Sequence, residues 1–230
     1  MTFADNSKIF VVVPSFNEAK QLRHTLAPLI EQGYSVVVVD DFSTDSTAQT
    51  IQDLPIYYLR HPINLGQGAA LQTGMNFSVQ QNANYIVHFD ADGQHNFREI
   101  PLLINALQTQ AADVALGTRF KRAEDVAAIP TFRRFVLRVA ILVNGIMTGL
   151  WLSDAHNGFR AFTKEAAAKI KITENRMAHA TEILSLIKQQ HLKVVEVPVH
   201  IEYTDYSKLK GQSSSNSINI LIDLILNKLF

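Results

Sequence analysis

Two carboxylates flank a single alanine at Asp90-Ala91-Asp92, inside the run DADGQH at 90–95. At the end of a β-strand, this spacing offers both carboxylates to one ligand edge. Oxygen donors of this kind suit a hard cation such as Mg2+ or Mn2+ that also takes phosphate oxygens. Bound there, the cation acts as a Lewis acid on a departing diphosphate. Gln94 and His95 follow directly and can reach the cation or a phosphate. An isolated acidic pair is weak evidence, because such pairs are common in turns. A second pair, Asp40-Asp41, follows VVVV. A carboxylate there can accept from the N–H groups of a nucleobase or from ribose hydroxyls. Its alternative is to cap the next helix, a task that Ser43 or Asp45 can also perform. Pro14-Ser15-Phe16-Asn17-Glu18 offers the other wall of a nucleoside pocket, with Glu18 either on the ribose or capping the first helix.

Further candidates stand alone. Asn64-Leu65-Gly66-Gln67-Gly68 lacks the GxxxxGK[ST] pattern of a phosphate-cradling P-loop. Without a Cβ, Gly66 and Gly68 permit a tight turn and close backbone approach at a helix start. Arg119, in GTR at 117–119, can clamp a phosphate or sugar hydroxyls, or pair with a nearby Asp. Asp154 and Asn157 to Arg160 form a second polar cluster, in which Arg160 suits an anionic acceptor. Glu182, near His179 on a helix, can orient or deprotonate an acceptor, or simply face solvent. Lys208 lies in the polar stretch TDYSKLKGQSSSNS, where it can cover a phosphate or keep a loop soluble.

The elements that must position these groups alternate. Short β-branched runs at Ile9–Val13, Ser35–Val39, Ile56–Leu59, Tyr85–Phe89 and Val114–Gly117 read as strands, the first stopped by Pro14. Between them, Ala19–Glu31, Thr47–Ile51, Gly66–Val79 and Arg98–Leu107 read as helices. This alternation predicts βαβ units, an α/β fold with a mostly parallel central sheet flanked by helices. Ligands of such sheets bind beyond the carboxyl ends of the strands, and three polar clusters fall at those ends. After Arg119 the alternation breaks. A helix at His179–Gln190 and strands at Lys193–Val197 and Val199–Tyr203 follow, with Pro198 marking an edge or bulge.

With 230 residues the chain can bury a full core as one domain. The formal net charge of zero removes the basic footprint of a nucleic-acid binder. The absence of cysteine excludes disulfides and thiolate-held metals. The N-terminus does not read as a signal peptide, so a cytoplasmic catalytic face is expected. The apolar runs at 135–152 and 217–230 are interrupted by Arg138 and Asn144, and by Asp223 and Lys228. Both fall short of a span of about 20 residues and admit two readings, core or dimer helices, or helices lying in a bilayer interface.

Taken in order, VVVPSFNE at 11–18, VVVDDFSTDST at 37–47, NLGQGAALQTG at 64–74, DADGQH at 90–95, GTRF at 117–120, SDAHNGFRAF at 153–162, the Glu182 helix and VVEVPVHIEY…YSKL at 194–209 resemble the family 2 glycosyltransferases with a GT-A fold. The resemblance is nearest to the dolichyl- and polyprenyl-phosphate sugar transferases. It implies a single GT-A domain over 1–230, with a nucleotide-sugar-binding half at 1–120, an acceptor-side half at 121–212 and an amphipathic helix at 213–230. It implies a UDP- or GDP-sugar donor, Mg2+ or Mn2+, and inverting transfer to polyprenyl phosphate on the cytoplasmic face of a membrane. Residue by residue, Asp41 matches the base-recognition acid, with Pro14 and Glu18 lining the nucleoside site. Asp90, Asp92 and Gln94 match the metal and diphosphate group, and Gly68 falls in the donor-side glycine turn. Arg119 and Arg133 match phosphate or acceptor contacts, Arg160 the acceptor side, and Lys208 the lysine of an SKL motif. The tail departs from the pattern in lacking the arginine and glycine that precede SKL. Transfer to a hydroxyl of a growing polysaccharide, with Glu182 or Asp154 as base, and sugar nucleotidyl transfer are the competing enzyme readings. Oligomeric state stays open, homo-oligomer included.

Overall fold

The computed structural model describes residues 5–121, 126, 131–154, 157–176 and 178–202, with the backbone alone at 132, 133, 136 and 147. Lys208 and the expected helix at 213–230 lie outside the described residues. The strands are β1 (Ile9–Ser15), β2 (Ser35–Asp40), β3 (Tyr57–Arg60), β4 (Tyr85–His88), β5 (Val114–Thr118), β6 (Arg160–Thr163) and β7 (Val194–Pro198). The helices are α1 (Leu22–Glu31), α2 (Thr47–Ile51), α3 (Gln67–Gln80), α4 (Ile100–Thr109), α5 (Thr131–Thr148), α6 (Lys164–Lys169) and α7 (His179–Gln189).

The strands form one sheet in the order β3-β2-β1-β4-β6-β5-β7, with β6 antiparallel to both neighbours and the remaining pairs parallel. Alternate residues of β1 serve opposite faces. Ile9, Val11 and Val13 join Leu22, Leu26, Ile100 and Leu103 in one buried cluster. Phe10 and Val12 join Leu71, Met75, Ile183 and Leu184 in the other. Helices therefore cover both faces, which is why these strands read as unbroken apolar runs. The chain leaves β1 for β2 and β3 on one side and returns to β4 on the other. That switch opens a crevice at the carboxyl ends of β1, β2 and β4, the usual ligand position in such sheets.

Three differences from the sequence expectation have physical causes. Pro14 does not stop β1, which runs on to Ser15. Val12 C=O accepts from Phe89 N–H and Ser15 C=O from Asp41 N–H. Pro14 thus faces β4, where the ladder has already ended at Val12, and its missing N–H leaves no gap. A four-residue strand, β6, forms from RAFT at 160–163 and gives the sheet its antiparallel member. Val199–Ile201 does not form a strand with named partners. It makes a single bridge, Ile201 with His95, and β7 ends at Pro198 on the sheet edge.

The apolar run near 135–152 forms α5, which packs on α7. Phe135, Leu142 and Ile146 are exposed, 65%, 52% and 70%. Their spacing places them on one helical face. Among the described residues, no helix is long and apolar enough to cross a membrane.

Candidate active site

Asp90 and Asp92 follow β4 at the crevice. Asp90 Oδ1 accepts from Gln67 Nε2 at 3.1 Å, and Oδ2 accepts from His95 Nε2 at 3.0 Å. His95 is held in turn by stacking on Phe159, ring centroids 4.9 Å apart. A Cβ at Gly158 would lie 2.7 Å from Asp90 Oδ2, so glycine there makes room for the carboxylate. Burial works to raise the Asp90 carboxyl, but the hydrogen bond from His95 holds it below its ordinary value. Asp92 Oδ1 accepts from Gln94 N–H at 3.0 Å. Burial first, then the charge of Asp90, pushes Asp92 up to about 6.

This donor set fits a hard divalent cation. Asp90 sits close enough to oppose the ionisation of Asp92, and positive charge between the two carboxylates would relieve that strain. Among the described residues no group of three or more Asp, Glu or His side chains is arranged to hold a metal ion. A cation held by two carboxylates would take its remaining ligands from water and phosphate oxygens, as Mg2+ usually does.

After β2, Asp41 is buried. Its carboxylate accepts from Leu65 N–H at 2.8 Å, Gly66 N–H at 2.6 Å and His61 Nδ1 at 2.8 Å. His61 Nε2 meets Thr73 Oγ1 at 2.9 Å. Asp41 thus fastens the glycine turn to the end of β2. Asp40 accepts from Ser43 N–H at 2.8 Å and Tyr58 Oη at 2.5 Å. Asn17, at φ 55°, accepts from Thr44 N–H, while its own N–H donates to Ser43 Oγ. These bonds tie the loop after β1 to the loop after β2. Glu18 N–H donates to Thr47 Oγ1 and Glu18 C=O receives the first turn leading into α1. The Glu18 charge also contributes to raising Asp92, so it acts on the carboxylate pair. Pro14 lies in β1 beside Val39. Exposed Phe16 and Phe42 flank these loops. Phe42 carries no local pattern that singles it out, and its one signal is its position after the acidic pair.

In the second half, Arg119 and Asp154 are bound to each other. Arg119 Nε and Nη2 donate to the two Asp154 oxygens at 2.7 and 2.8 Å, and both residues are buried. Glu182 accepts from Thr173 N–H and Oγ1 and from Glu174 N–H, all within its own half of the chain. Gly68 N–H is taken by Asn175 C=O at 2.8 Å. The Arg133 side chain is outside the description, as is all of Lys208.

Arg160 behaves differently. It is 3% exposed, and its one side-chain hydrogen bond among the described residues runs from Nε to Asn157 C=O at 3.1 Å. It forms no ion pair there. Burial lowers it to about 10, opposed by the fields of Asp90 and Asp154. Around it stand His88 and His179. His88 pairs with Arg160 across β4 and β6, its ring nitrogens have no hydrogen-bond partner among the described residues, and burial first, then Arg160, lowers it to about 3. His179 is also lowered by burial, and its Nδ1 donates to Arg176 C=O at 2.6 Å. The neutral ring therefore keeps its lone pair at Nε2. Gln67, His88 and His179 were missed as site residues. Their only sequence signals were position, between two glycines, just before the acidic pair, and at a helix start.

A doubly covered sheet, an acidic pair after β4 and a ligand crevice at the strand switch define a GT-A glycosyltransferase fold. Residues 10–171 match the glycosyl transferase family 2 model, and the chain belongs to that family. It is 34% identical to an uncharacterised protein of Methanocaldococcus jannaschii, over 98% of this chain and 94% of that one. It is 25% identical to UDP-N-acetylglucosamine–dolichyl-phosphate N-acetylglucosaminyltransferase of Methanococcus voltae, over 96% of each. Among solved structures, glucosyl-3-phosphoglycerate synthase of Mycobacterium tuberculosis, in complex with Mn2+ and uridine-diphosphate-glucose, superposes with a TM-score of 0.67 at 18% identity. That match covers 94% of this chain and 77% of the other, and establishes the fold alone.

Proposed function

We propose that this protein moves a hexose from a nucleoside-diphosphate sugar to a polyprenyl phosphate, with inversion at the anomeric carbon. The observation that carries the acceptor half is Arg160, a buried guanidinium without an ion-pair partner among the described residues, in the field of Asp90. An uncompensated buried charge is costly, and an anionic substrate group at that position would offset it. The dolichyl-phosphate acceptor named for the Methanococcus voltae relative supports the same reading.

In this reading Asp90, Asp92 and Gln94 would hold Mg2+ or Mn2+, which would supply Lewis-acid stabilisation to the nucleoside diphosphate leaving group. The phosphate oxygen of the acceptor forms the new bond to the anomeric carbon as the bond to the diphosphate oxygen breaks, and the electron pair leaves with the diphosphate. A phosphate monoester is largely ionised at pH 7, its second pKa being about 6, so no protein base has to remove a proton. That fits the engagement of Asp154 by Arg119 and of Glu182 by Thr173 and Glu174. Arg160 orients the attacking phosphate. The cytoplasmic face of a membrane is the proposed location.

The test is a donor panel of UDP-glucose, UDP-N-acetylglucosamine and GDP-mannose, labelled in the sugar, with and without undecaprenyl phosphate and Mn2+. Label is expected to pass into the organic phase only with lipid phosphate and metal present. Arg160→Lys should raise the lipid-phosphate KM about tenfold or more. Label appearing only on saccharide or protein hydroxyls would overturn the acceptor assignment.

A further inference from the structure

Glu182 lies on the first turn of α7, yet its carboxylate is spent on the backbone just upstream. Thr173 N–H donates to both oxygens at 2.9 and 3.1 Å, Thr173 Oγ1 to Oε1 at 2.5 Å, and Glu174 N–H to Oε2 at 2.8 Å. The next residue carries the hold into the first half of the chain. Asn175 C=O accepts from Gly68 N–H at 2.8 Å and Ala69 N–H at 3.4 Å. These amides belong to the first turn of α3, where helix donors lack internal partners. α3 has no side-chain cap at Gly66, so the Asn175 carbonyl serves as its cap.

The contact is tight enough to dictate sequence. A Cβ at Gly66 would lie 2.3 Å from Asn175 O, and one at Gly68 would lie 2.0 Å from Glu174 O. Gly66 also has φ +102°, open to glycine but strained for other residues. From the opposite side Asp41 grips Leu65 and Gly66 N–H. Farther along α3, Gln72 Oε1 accepts from Ile172 N–H at 2.6 Å. Between these clamps lies Gln67, whose Nε2 reaches Asp90 Oδ1 at 3.1 Å.

We propose that Glu182 is a positioning residue for Asp90. By holding 173–175 it seats the first turn of α3, and the seated turn aims Gln67 at the carboxylate. The proposal rests on the reading of Asp90 and Asp92 as the cation and diphosphate carboxylates. It also accounts for a carboxylate on α7 that the transfer itself does not use.

The experiment compares Glu182→Ala, Glu182→Gln and Gln67→Leu with the parent protein. It reads amide hydrogen exchange at Gly68 and Ala69, calorimetric binding of Mn2+ with UDP and of Mn2+ with GDP, and steady-state kinetics over pH. Glu182→Ala is expected to speed exchange at both amides about tenfold and weaken Mn2+-nucleotide binding about 5- to 30-fold. Donor KM should rise more than kcat falls, and the pH profile of kcat should keep its shape. Glu182→Gln, whose amide oxygen still accepts, should recover part of each loss. Gln67→Leu should reproduce the weaker binding with exchange near the parent's. If Glu182→Ala unfolds, Thr173→Val removes one of the same bonds and should move exchange and affinity the same way by less.

Faster exchange with parental affinity would overturn the link to Asp90. Parental exchange and affinity with collapsed kcat and a lost acidic limb would make Glu182 a base instead. A parent protein that binds neither Mn2+ with UDP nor Mn2+ with GDP would sink the reading of the carboxylates, while exchange would still report the hold on the loop.

Discussion

Asp92 carries a carboxyl that burial and the neighbouring Asp90 push up to about 6, from an ordinary 3.8. A raised acid pKa means that the folded protein binds the proton more tightly than the unfolded chain. Stability from this group is therefore full below about pH 4 and lost as pH rises through 6. At pH 7 the ionised side chain works against folding of the metal-free protein. Asp92→Asn should raise the Tm of that form at pH 7, have little effect on it at pH 4, and abolish the rise in Tm that Mn2+ gives the parent. Scanning calorimetry at the two pH values, with and without Mn2+, checks all three. A variant that still gains Tm with Mn2+ would remove Asp92 from the cation site. The same residue shows why a sequence pattern reads a site only so far: the spacing suggested two carboxylates on one edge, but the strain between them depends on burial.

The buried pair between Arg119 at the end of β5 and Asp154 before β6 belongs to the scale of elements. Removing one partner from a buried pair leaves an uncompensated charge, at a typical cost of about 3–5 kcal/mol. Asp154→Ala should therefore lower stability by about that much in urea unfolding, whereas Asp154→Leu combined with Arg119→Met should recover much of the loss. If Asp154 were a base, the single variant would fold at parental stability and lose only turnover. This pair also marks where the sequence stopped being readable. Strands buried on both faces announce themselves as runs such as VVVV, and their order placed three polar clusters at one sheet edge. Partner choice is a different matter. Arg119 meets a residue 35 positions away and Asp41 meets the glycine turn 24 and 25 positions away, and neither pairing leaves a local trace. RAFT is too short and mixed to declare a strand, because β6 draws its stability from two neighbours rather than its own pattern. Pro14 misled for the same reason, since its cost depends on which neighbour its missing N–H would have faced.

For the whole molecule, the open question is what meets the apolar face of α5. Phe135, Leu142 and Ile146 share one exposed side of a helix whose other side packs on α7, the element that carries His179 and Glu182. Trp151 is exposed just beyond the helix, and Arg138 is an exposed cation on it. An apolar stripe with an aromatic end and a long basic side chain suits the headgroup layer of an anionic bilayer, where arginine keeps its charge in water while its stem lies on lipid. Each large side chain moved fully out of water contributes about 1.5–3 kcal/mol, so three that are partly buried are enough to shift partitioning by about 100-fold. The parent protein should float with vesicles of phosphatidylglycerol and phosphatidylcholine. A Phe135→Ser, Leu142→Ser, Ile146→Ser variant should stay behind, yet still transfer sugar to a short-chain polyprenyl phosphate in detergent. If the parent stays in the aqueous fraction and sediments as a dimer that the triple variant reduces to a monomer, the stripe is an interface between copies, and the proposed lipid acceptor would have to reach the site by another face.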